Sequence, residues 1–145
     1  MNDVGPILVV AAAIVRDSQV MLAQRYQPEL PEAHLRWELP GGKVKFGEGL
    51  HDALKREILE ELGTKIVIVR MLPHVQSTIY CTNGGAVHAV VIAFECSLVL
   101  QTSEPYAADA SVQSIVWIYK EGLKEFDSLP GVIAWLECLE DLGDI

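Results

Sequence analysis

Apolar and polar positions along the chain follow a pattern that predicts many short strands. Apolar stretches bounded by polar turns are typical of β-structure. The predicted strands are residues 7–15, 20–25, 37–39, 65–72, 75–81, 86–100 and 112–119. Polar residues 16–19 indicate a hairpin, and the Asn-Gly-Gly at 83–85 is a second turn signal. Residues 26–36 and 101–111 are predicted loops, and the Pro-Gly-Gly at 40–42 is expected to end the third strand.

Two segments show the three- and four-residue apolar spacing of amphipathic helices. The first spans residues 49–62, and Gly63 is a suitable C-terminal stop. Its apolar positions are Leu50, Ala53, Leu54, Ile58 and Leu62. The second segment spans residues 128–142. Many strands with one central and one C-terminal helix imply an α/β fold, in which a mixed β-sheet is sandwiched between helices.

Composition limits the classes of function. The 145 residues are 50% hydrophobic and 21% charged, which suits one packed core, and no repeat or linker interrupts them. We therefore expect a single domain over residues 1–145. Twenty Asp and Glu against 11 Lys and Arg give a net charge of −9. This balance disfavours a nucleic-acid polymer or an anionic membrane as partner, but a divalent cation can still recruit a phosphate compound.

The cysteines and the N-terminal segment indicate a cellular compartment. Cys81, Cys96 and Cys138 are widely spaced and form no Cys-x-x-Cys pair, which favours free thiols in a reducing environment. The longest apolar run, residues 7–15, falls well short of the ~18 residues that span a bilayer. Residues 1–6 contain no Lys or Arg, unlike a secretory signal. We expect a cytoplasmic protein.

Three carboxylates mark the central predicted helix. Glu57, Glu60 and Glu61 stand at positions i, i+3 and i+4, so they project from one helix face and repel one another. A solvated acidic surface is one explanation. The other is a divalent cation, since Mg²⁺ binds carboxylate oxygens alongside substrate phosphates. The neighbouring Arg56 is placed to hold one carboxylate, and Gly41 and the glycines near it let backbone approach a metal closely.

These residues resemble the box of the Nudix hydrolase family, G-x5-E-x7-R-E-U-x-E-E-x-G-U, in which U is a bulky aliphatic residue. The matching positions are Gly42, Glu48, Arg56, Glu57, Ile58, Glu60, Glu61 and Gly63. Thr64 departs from the last, aliphatic position. The segment Trp-Glu-Leu-Pro-Gly-Gly-Lys at 37–43 is similar to the MutT-type branch of the family, which acts on nucleoside triphosphates.

The resemblance implies a metal site and its catalytic residues. The Gly41 carbonyl, Glu60 and Glu61 are expected as ligands of Mg²⁺, for which Mn²⁺ can substitute. Glu57 is expected as a further ligand or as the general base that activates water, and some family members place the base outside the box. Arg56 would orient Glu57. Glu48 would support the metal through water.

Further positions are candidates for the substrate pocket. In MutT-type enzymes a late acidic residue also binds metal, and Asp109 is nearest that position, with Glu104 second. Arg25 and Lys43 are candidate phosphate contacts. Arg25 equally suits an exposed charge at a strand end, and a lysine in a polar loop, such as Lys43, is usually only solvated. Tyr80 is a candidate for stacking on a base. Trp117 is another, and both equally suit core positions.

The resemblance implies a Mg²⁺-dependent pyrophosphohydrolase that cuts a nucleoside or deoxynucleoside triphosphate into monophosphate and pyrophosphate. Alternative substrates are ADP-ribose, another nucleotide sugar or a dinucleoside polyphosphate. A catalytically silent nucleotide-binding domain is the alternative from another class, yet the box carboxylates are intact. Residues 126–133 contain no Asn, the residue with which some family members read 8-oxoguanine. A homodimer is a further expectation.

Overall fold

A computed structural model describes residues 5–82, 84–100 and 104–139. Its strands are β1 (Ile7–Arg16), β2 (Gln19–Arg25), β3 (Trp37–Glu38), β4 (Gly41–Lys43), β5 (Ile66–Thr82), β6 (Gly85–Leu98) and β7 (Val112–Ile118). Its helices are α1 (Leu50–Leu62), a 3₁₀ helix (Lys120–Glu125) and α2 (Val132–Glu137). None of the helices within these ranges has the length and apolar character needed to cross a bilayer.

Strand β1 is the centre of the sheet. It pairs with β6 in parallel and with β2 and β4 in antiparallel orientation. Strand β5 pairs with β6, while β3 and β7 both pair with β2. The sheet is therefore mixed, as the sequence predicted, and β5 lies at one end of the strand order.

The alternation of side chains along β1 creates two cores. Val10, Ala12 and Ile14 are buried on the side of α1, in a cluster that includes the apolar positions of that helix. Ala11 and Ala13 point to the opposite side, where Val132, Trp135 and Leu136 of α2 join the cluster. Each face of β1 is thus covered by a different helix, which confirms the α/β sandwich.

The end of α1 is fixed by Gly63 and the loop that follows β6. Gly63 adopts a left-handed conformation, with φ of 64°, and its N–H donates to the Leu59 carbonyl. The loop N–H groups of Tyr106 and Ala108 donate to the carbonyls of Leu62 and Glu61. These contacts hold the last turn of α1, and Glu61 with it, against the sheet.

The structure corrects two of the predicted strand boundaries. The predicted strands 65–72 and 75–81 form one strand, β5. The proline between them does not end the strand, because it lies where the register with β6 shifts. The glycines expected to end a strand form β4 instead, pairing with β1. A Cβ at Gly41 would lie 2.0 Å from the Val10 carbonyl oxygen, so only glycine permits this pairing.

The C-terminal helix is shorter than predicted, and a helix that the sequence did not indicate precedes it. Helix α2 begins at Val132, after Gly131 in a left-handed conformation, whereas residues 128–131 are not helical. Residues 140–142 of the predicted helix lie outside the described residues, as do residue 83 of the predicted turn and residues 101–103 of the predicted loop. The 3₁₀ helix falls in a segment without helical apolar spacing.

Candidate active site

Arg56 connects the acidic residues of α1 to the preceding loop. Its guanidinium donates to both carboxylate oxygens of Glu48, at 2.7 and 3.0 Å, and to Glu57 at 2.8 Å. A longer contact of 3.3 Å reaches Glu60, and another N–H donates to the Lys43 carbonyl at 3.0 Å. One planar cation therefore fixes three carboxylates relative to one another, which a lysine ammonium cannot do.

Glu48 anchors the loop between β4 and α1. It accepts the paired hydrogen bonds of Arg56 and a further one from the Lys45 N–H at 3.0 Å. The Arg56 hydrogen bond is the main reason why the pKa of Glu48 falls from its ordinary value to about 2, and the Lys45 N–H lowers it further. Glu48 is consequently ionised at any physiological pH and holds Arg56 in place.

Glu57 packs directly on the backbone of β4. Its side chain is only 16% exposed, and a Cβ at Gly42 would lie 2.2 Å from one of its carboxylate oxygens. Any larger residue at position 42 would displace the carboxylate. The glycine is therefore required for the close approach of Glu57 to the strand.

Glu61 is the most perturbed carboxyl group of the site. Burial raises its pKa to about 8, and the nearby charges of Glu38 and Glu57 act in the same direction. The Gly41 N–H and the Ser111 hydroxyl donate to it and partly offset this rise. Among the described residues, its Oε1 atom is buried without any hydrogen-bond partner. A buried acceptor of this kind is costly unless a cation or another donor approaches it.

The carboxylates suit a hard divalent cation, although they do not converge on one point. Within the described ranges, no group of three His, Cys, Asp or Glu side chains is arranged as a metal cage. The reason is that Arg56 engages Glu57 and Glu60, and the Glu60 side chain is 55% exposed. The unpartnered oxygen of Glu61 and the all-oxygen donor set nevertheless fit a cation such as Mg²⁺.

A cavity of about 570 Å³ opens beside this carboxylate group. Glu61 and all three residues of β4 line one part of it. Its remaining wall is largely apolar and includes Leu30, Val91, Leu129 and Trp135. A polar wall next to an apolar one suits a ligand with a charged part and a flat organic part.

Comparison with known proteins identifies the family. The family model described as NUDIX domain matches residues 6–136. The chain belongs to the Nudix family. Nudix hydrolases act on phosphoanhydride bonds and generally use a divalent metal, and the chain is an enzyme of this hydrolase class.

Individual relatives are similar over most of the chain. A Mycobacterium tuberculosis protein, provisionally named 8-oxo-dGTP diphosphatase 2, is 36% identical over 129 residues, which are 89% of this chain and 84% of the relative. The nucleoside triphosphatase NudI of Escherichia fergusonii is 28% identical over 63% of this chain and 67% of its own length. The MutT NUDIX hydrolase of Burkholderia pseudomallei superposes with a TM-score of 0.71 and 29% identity, covering 93% of this chain and 98% of the other.

The pocket of this Nudix domain brings together most of the predicted substrate residues. Arg25, Lys43 and Tyr80 all line it. The Arg25 guanidinium, however, is held by Glu38 at 2.7 and 2.9 Å and also contacts Gln27. Its charge is therefore already paired inside the pocket. Burial raises the pKa of Tyr80, which keeps its phenol neutral.

The late acidic candidates lie in different places. Asp109 is exposed, but it accepts hydrogen bonds from Ser111, whose hydroxyl also reaches Glu61 at 3.4 Å. Ser111 thus connects Asp109 to Glu61 through hydrogen bonds. Glu104 instead pairs with Arg16 at 2.8 Å, and that guanidinium lies 4.3 Å above the Trp117 ring. Neither Trp117 nor Glu104 lines the nucleotide-sized cavity.

Sequence reasoning missed two polar residues of the site. Glu38 lines the cavity, binds Arg25 and raises the pKa of Glu61. The signal available in the sequence was its position directly before the Leu-Pro that leads into the glycines of β4. A short strand at that position faces the same cavity as the glycines. Ser111 had no such signal, because its proximity to Glu61 depends on how the loop before β7 folds back.

Proposed function

We propose that the chain is a Mg²⁺-dependent pyrophosphohydrolase that cleaves a nucleoside or deoxynucleoside triphosphate into monophosphate and pyrophosphate. The observation that carries this proposal is the buried, unpartnered oxygen of Glu61 beside carboxylates ordered by Arg56, at the edge of a cavity of about 570 Å³. The proposal treats residues 1–145 as one Nudix domain.

The names of the relatives support a triphosphate substrate. The Mycobacterium tuberculosis relative is named for 8-oxo-dGTP, and the Escherichia fergusonii relative is named a nucleoside triphosphatase. Both are triphosphate hydrolases by name, and together they favour this substrate class over ADP-ribose. Only the first name specifies a base, so the base preference of this chain is a matter for experiment.

The proposed ligands of the metal are Glu60, Glu61 and the Gly41 carbonyl, and Glu57 would be either a further ligand or the general base. Mg²⁺ at this position would neutralise phosphate charge and lower the pKa of a bound water, and Mn²⁺ would substitute for it. Glu61 would gain most from the cation, since its ionised form is disfavoured by burial and by the charges of Glu38 and Glu57.

The chain's own residues would manage the water and its proton. The water oxygen attacks a phosphorus atom, the phosphoanhydride P–O bond breaks, and pyrophosphate leaves with the bonding electrons. Glu57 would accept the proton of the water, because it is the carboxylate fixed between Arg56 and the β4 backbone. Arg56 positions that carboxylate, and Glu48 positions Arg56. Asp109 would assist Glu61 through Ser111.

The cavity would hold the nucleoside. Lys43, on the polar wall, is the proposed phosphate contact. Tyr80, packed against Leu30 and Leu129, lines the cavity and is the proposed stacking partner of a base. Arg25 would bind phosphate only if Glu38 releases it, so we assign it a shared role with Glu38 in shaping the pocket.

The test is product analysis on a panel of nucleotides with Mg²⁺. The panel contains the common and oxidised triphosphates, ADP-ribose and a dinucleoside polyphosphate. We expect monophosphate and pyrophosphate from at least one triphosphate, and loss of both products with Glu57→Gln and Glu61→Gln. Glu125→Gln, which changes an exposed carboxylate outside the site, is the matched control and should keep full activity.

Two outcomes would overturn the proposal. Turnover of ADP-ribose alone would retain the hydrolase class but refute the triphosphate substrate. Binding of a nucleotide without turnover of any panel member would indicate a catalytically silent domain.

The proposed setting is a reducing cytoplasm. Cys81, Cys96 and Cys138 are all free thiols in the structure, and Cys96 is buried. The net charge of −9 supports a small nucleotide rather than a nucleic-acid polymer or a membrane surface as partner.

A further inference from the structure

The floor of the cavity is the sheet face that α2 partly covers. Side chains at paired positions of adjacent strands point to the same side of a sheet. Val9 of β1 pairs with Lys43 of β4 and with Val91 of β6, and all three line the cavity. Ile7 pairs with Ala89, and both also line it. The floor therefore runs from β4 across β1 to β6.

The two ends of this floor differ in chemistry. The end at β4 is polar, since Lys43 and Glu61 line the cavity there, whereas the end at β6 is aliphatic. Adjacent strands lie about 4.8 Å apart, so β6 is about 10 Å from β4. A nucleotide whose phosphates bind at β4 therefore extends its base over β6. This placement rests on the proposed function.

An apolar wall closes the cavity beside the β6 end of the floor. Leu30 and Leu129 pack with Tyr80 of β5, the strand next to β6, and all three line the cavity. The Arg36 guanidinium donates to the Ser128 carbonyl at 2.7 Å. This hydrogen bond ties the loop that carries Leu30 to the segment that carries Leu129. The wall is thus held in place, and a base has to fit the space that it leaves.

Ala89 has the smallest side chain among the cavity-lining residues of β6. Val87 and Val91 precede and follow it on the same face of the strand, and Ile7 lies beside it on β1. The alanine therefore leaves a hollow in a floor of branched aliphatic side chains. Ala89 is only half-buried, so the hollow is open to the cavity. A flat apolar surface of this kind suits the face of a base.

We propose that Ala89 is a specificity-determining residue that sets the size of the base, and that its small side chain admits a purine. A longer side chain at this position would occupy the space of the second ring of a purine, whereas a pyrimidine would leave that space free. One methylene group in an apolar pocket changes discrimination by about 10- to 200-fold. The inference deepens the proposed function, because it names purine nucleotides as the substrate class of the same site.

The experiment is isothermal titration calorimetry of the full chain and its Ala89→Leu variant with AMP, GMP, CMP and UMP in the presence of Mg²⁺. These monophosphates are products of the proposed reaction, so their binding is measured without turnover. Ala89→Leu should weaken the binding of AMP and GMP by about 10-fold or more, and that of CMP and UMP by less than about threefold. The ratio of kcat/KM for purine triphosphates to kcat/KM for pyrimidine triphosphates should fall by the same factor.

The matched control is Ala86→Leu. Ala86 also belongs to β6, but it is exposed and lies outside the cavity lining, so this variant should bind all four monophosphates as the wild type does. Ala89→Ser nearly keeps the size of the side chain and should also bind them normally. Ala89→Val, a smaller enlargement on a β-branched residue that suits a strand, should give an intermediate loss of purine binding. Thermal melting shows which variants are folded.

Two results would overturn the proposal. One is a folded Ala89→Leu or Ala89→Val variant whose ratio of purine to pyrimidine affinity equals that of the wild type. The other is a wild type that binds no purine monophosphate at millimolar concentration. Purine binding that Ala89→Leu weakens, without turnover of any triphosphate, would refute the proposed function alone. Triphosphate turnover with an unchanged ratio would refute this inference alone.

Discussion

At the scale of single residues, Arg56 and two glycines determine the geometry of the carboxylate group. Arg56 binds Glu48, Glu57 and Glu60 at once, so the like charges that repel along α1 are offset by one cation. Gly42 leaves room for the Glu57 carboxylate beside β4, and Gly41 permits the close pairing of β4 with β1. Steric and electrostatic effects thus explain the residue types at these motif positions, and each effect can be tested by a substitution.

Replacing Arg56 with lysine should lower kcat by about 10- to 100-fold, the usual loss when a residue that orients ligands is removed. Lysine keeps the charge but cannot bond Glu48, Glu57 and the Lys43 carbonyl together. Steady-state kinetics on the preferred triphosphate gives the effect, with the exposed Lys55→Arg as the control. A kcat within twofold of the wild type would contradict the positioning role.

Replacing Gly42 with alanine should abolish measurable activity, because its Cβ would lie 2.2 Å from the Glu57 carboxylate. The comparison is Gly49→Ala, whose Cβ meets nothing closer than the Asp52 carboxylate at 4.0 Å. Gly49 also has an ordinary φ of −74°. Turnover and thermal melting of both variants should show a folded but inactive Gly42→Ala and a nearly normal Gly49→Ala. Equal activity in the two would refute the steric argument.

At the scale of elements, the sequence patterns predicted the helices and strands that depend on the spacing of nearby residues. Helix α1 and strands β1 and β2 follow from apolar spacing and from the glycine stop. Strand β4 could not be predicted in this way, since its pairing with β1 is a long-range contact that no local pattern encodes. The carboxylate group could be predicted because its members share one helix. Glu38 and Ser111 reach it from other elements, and for that reason they were missed.

Replacing Gly63 with alanine should lower the free energy of unfolding by about 1–3 kcal/mol, the cost of a left-handed conformation in a residue with a Cβ. Its φ is 64°, and a Cβ there would also lie 2.5 Å from the Tyr106 ring. Urea unfolding followed by circular dichroism measures the change. Gly5→Ala, whose Cβ meets nothing within 4 Å, is the control. A difference below about 0.3 kcal/mol between the two variants would show that this cap is unimportant.

At the scale of the whole molecule, the two faces of the sheet differ in what covers them. One face, under α2, forms the cavity beside the Nudix carboxylates. The other face packs against α1, and beyond the helix it carries exposed apolar side chains such as Met71, Val75 and Ile79. The proposed substrate site therefore lies on one side of the sheet, opposite the side that α1 covers.

Binding of a divalent cation should stabilise the whole fold. A ligand that binds only the native state stabilises it by RT ln(1 + [L]/Kd), so the melting temperature rises with ligand concentration. We expect Mg²⁺ or Mn²⁺ at millimolar concentration to raise the Tm of the wild type and to leave the Tm of Glu61→Gln unchanged, because that variant lacks the buried ionisable oxygen. Differential scanning fluorimetry with K⁺ at matched ionic strength is the control. An equal rise in the wild type and the variant would place the cation elsewhere.

The most direct test of the central claim is a ³¹P NMR time course of the preferred triphosphate with the full chain and Mg²⁺. The account predicts resonances of monophosphate and pyrophosphate that grow together, require the cation and are absent with Glu61→Gln. Release of nucleoside diphosphate and orthophosphate, or equal turnover by Glu61→Gln, would contradict it.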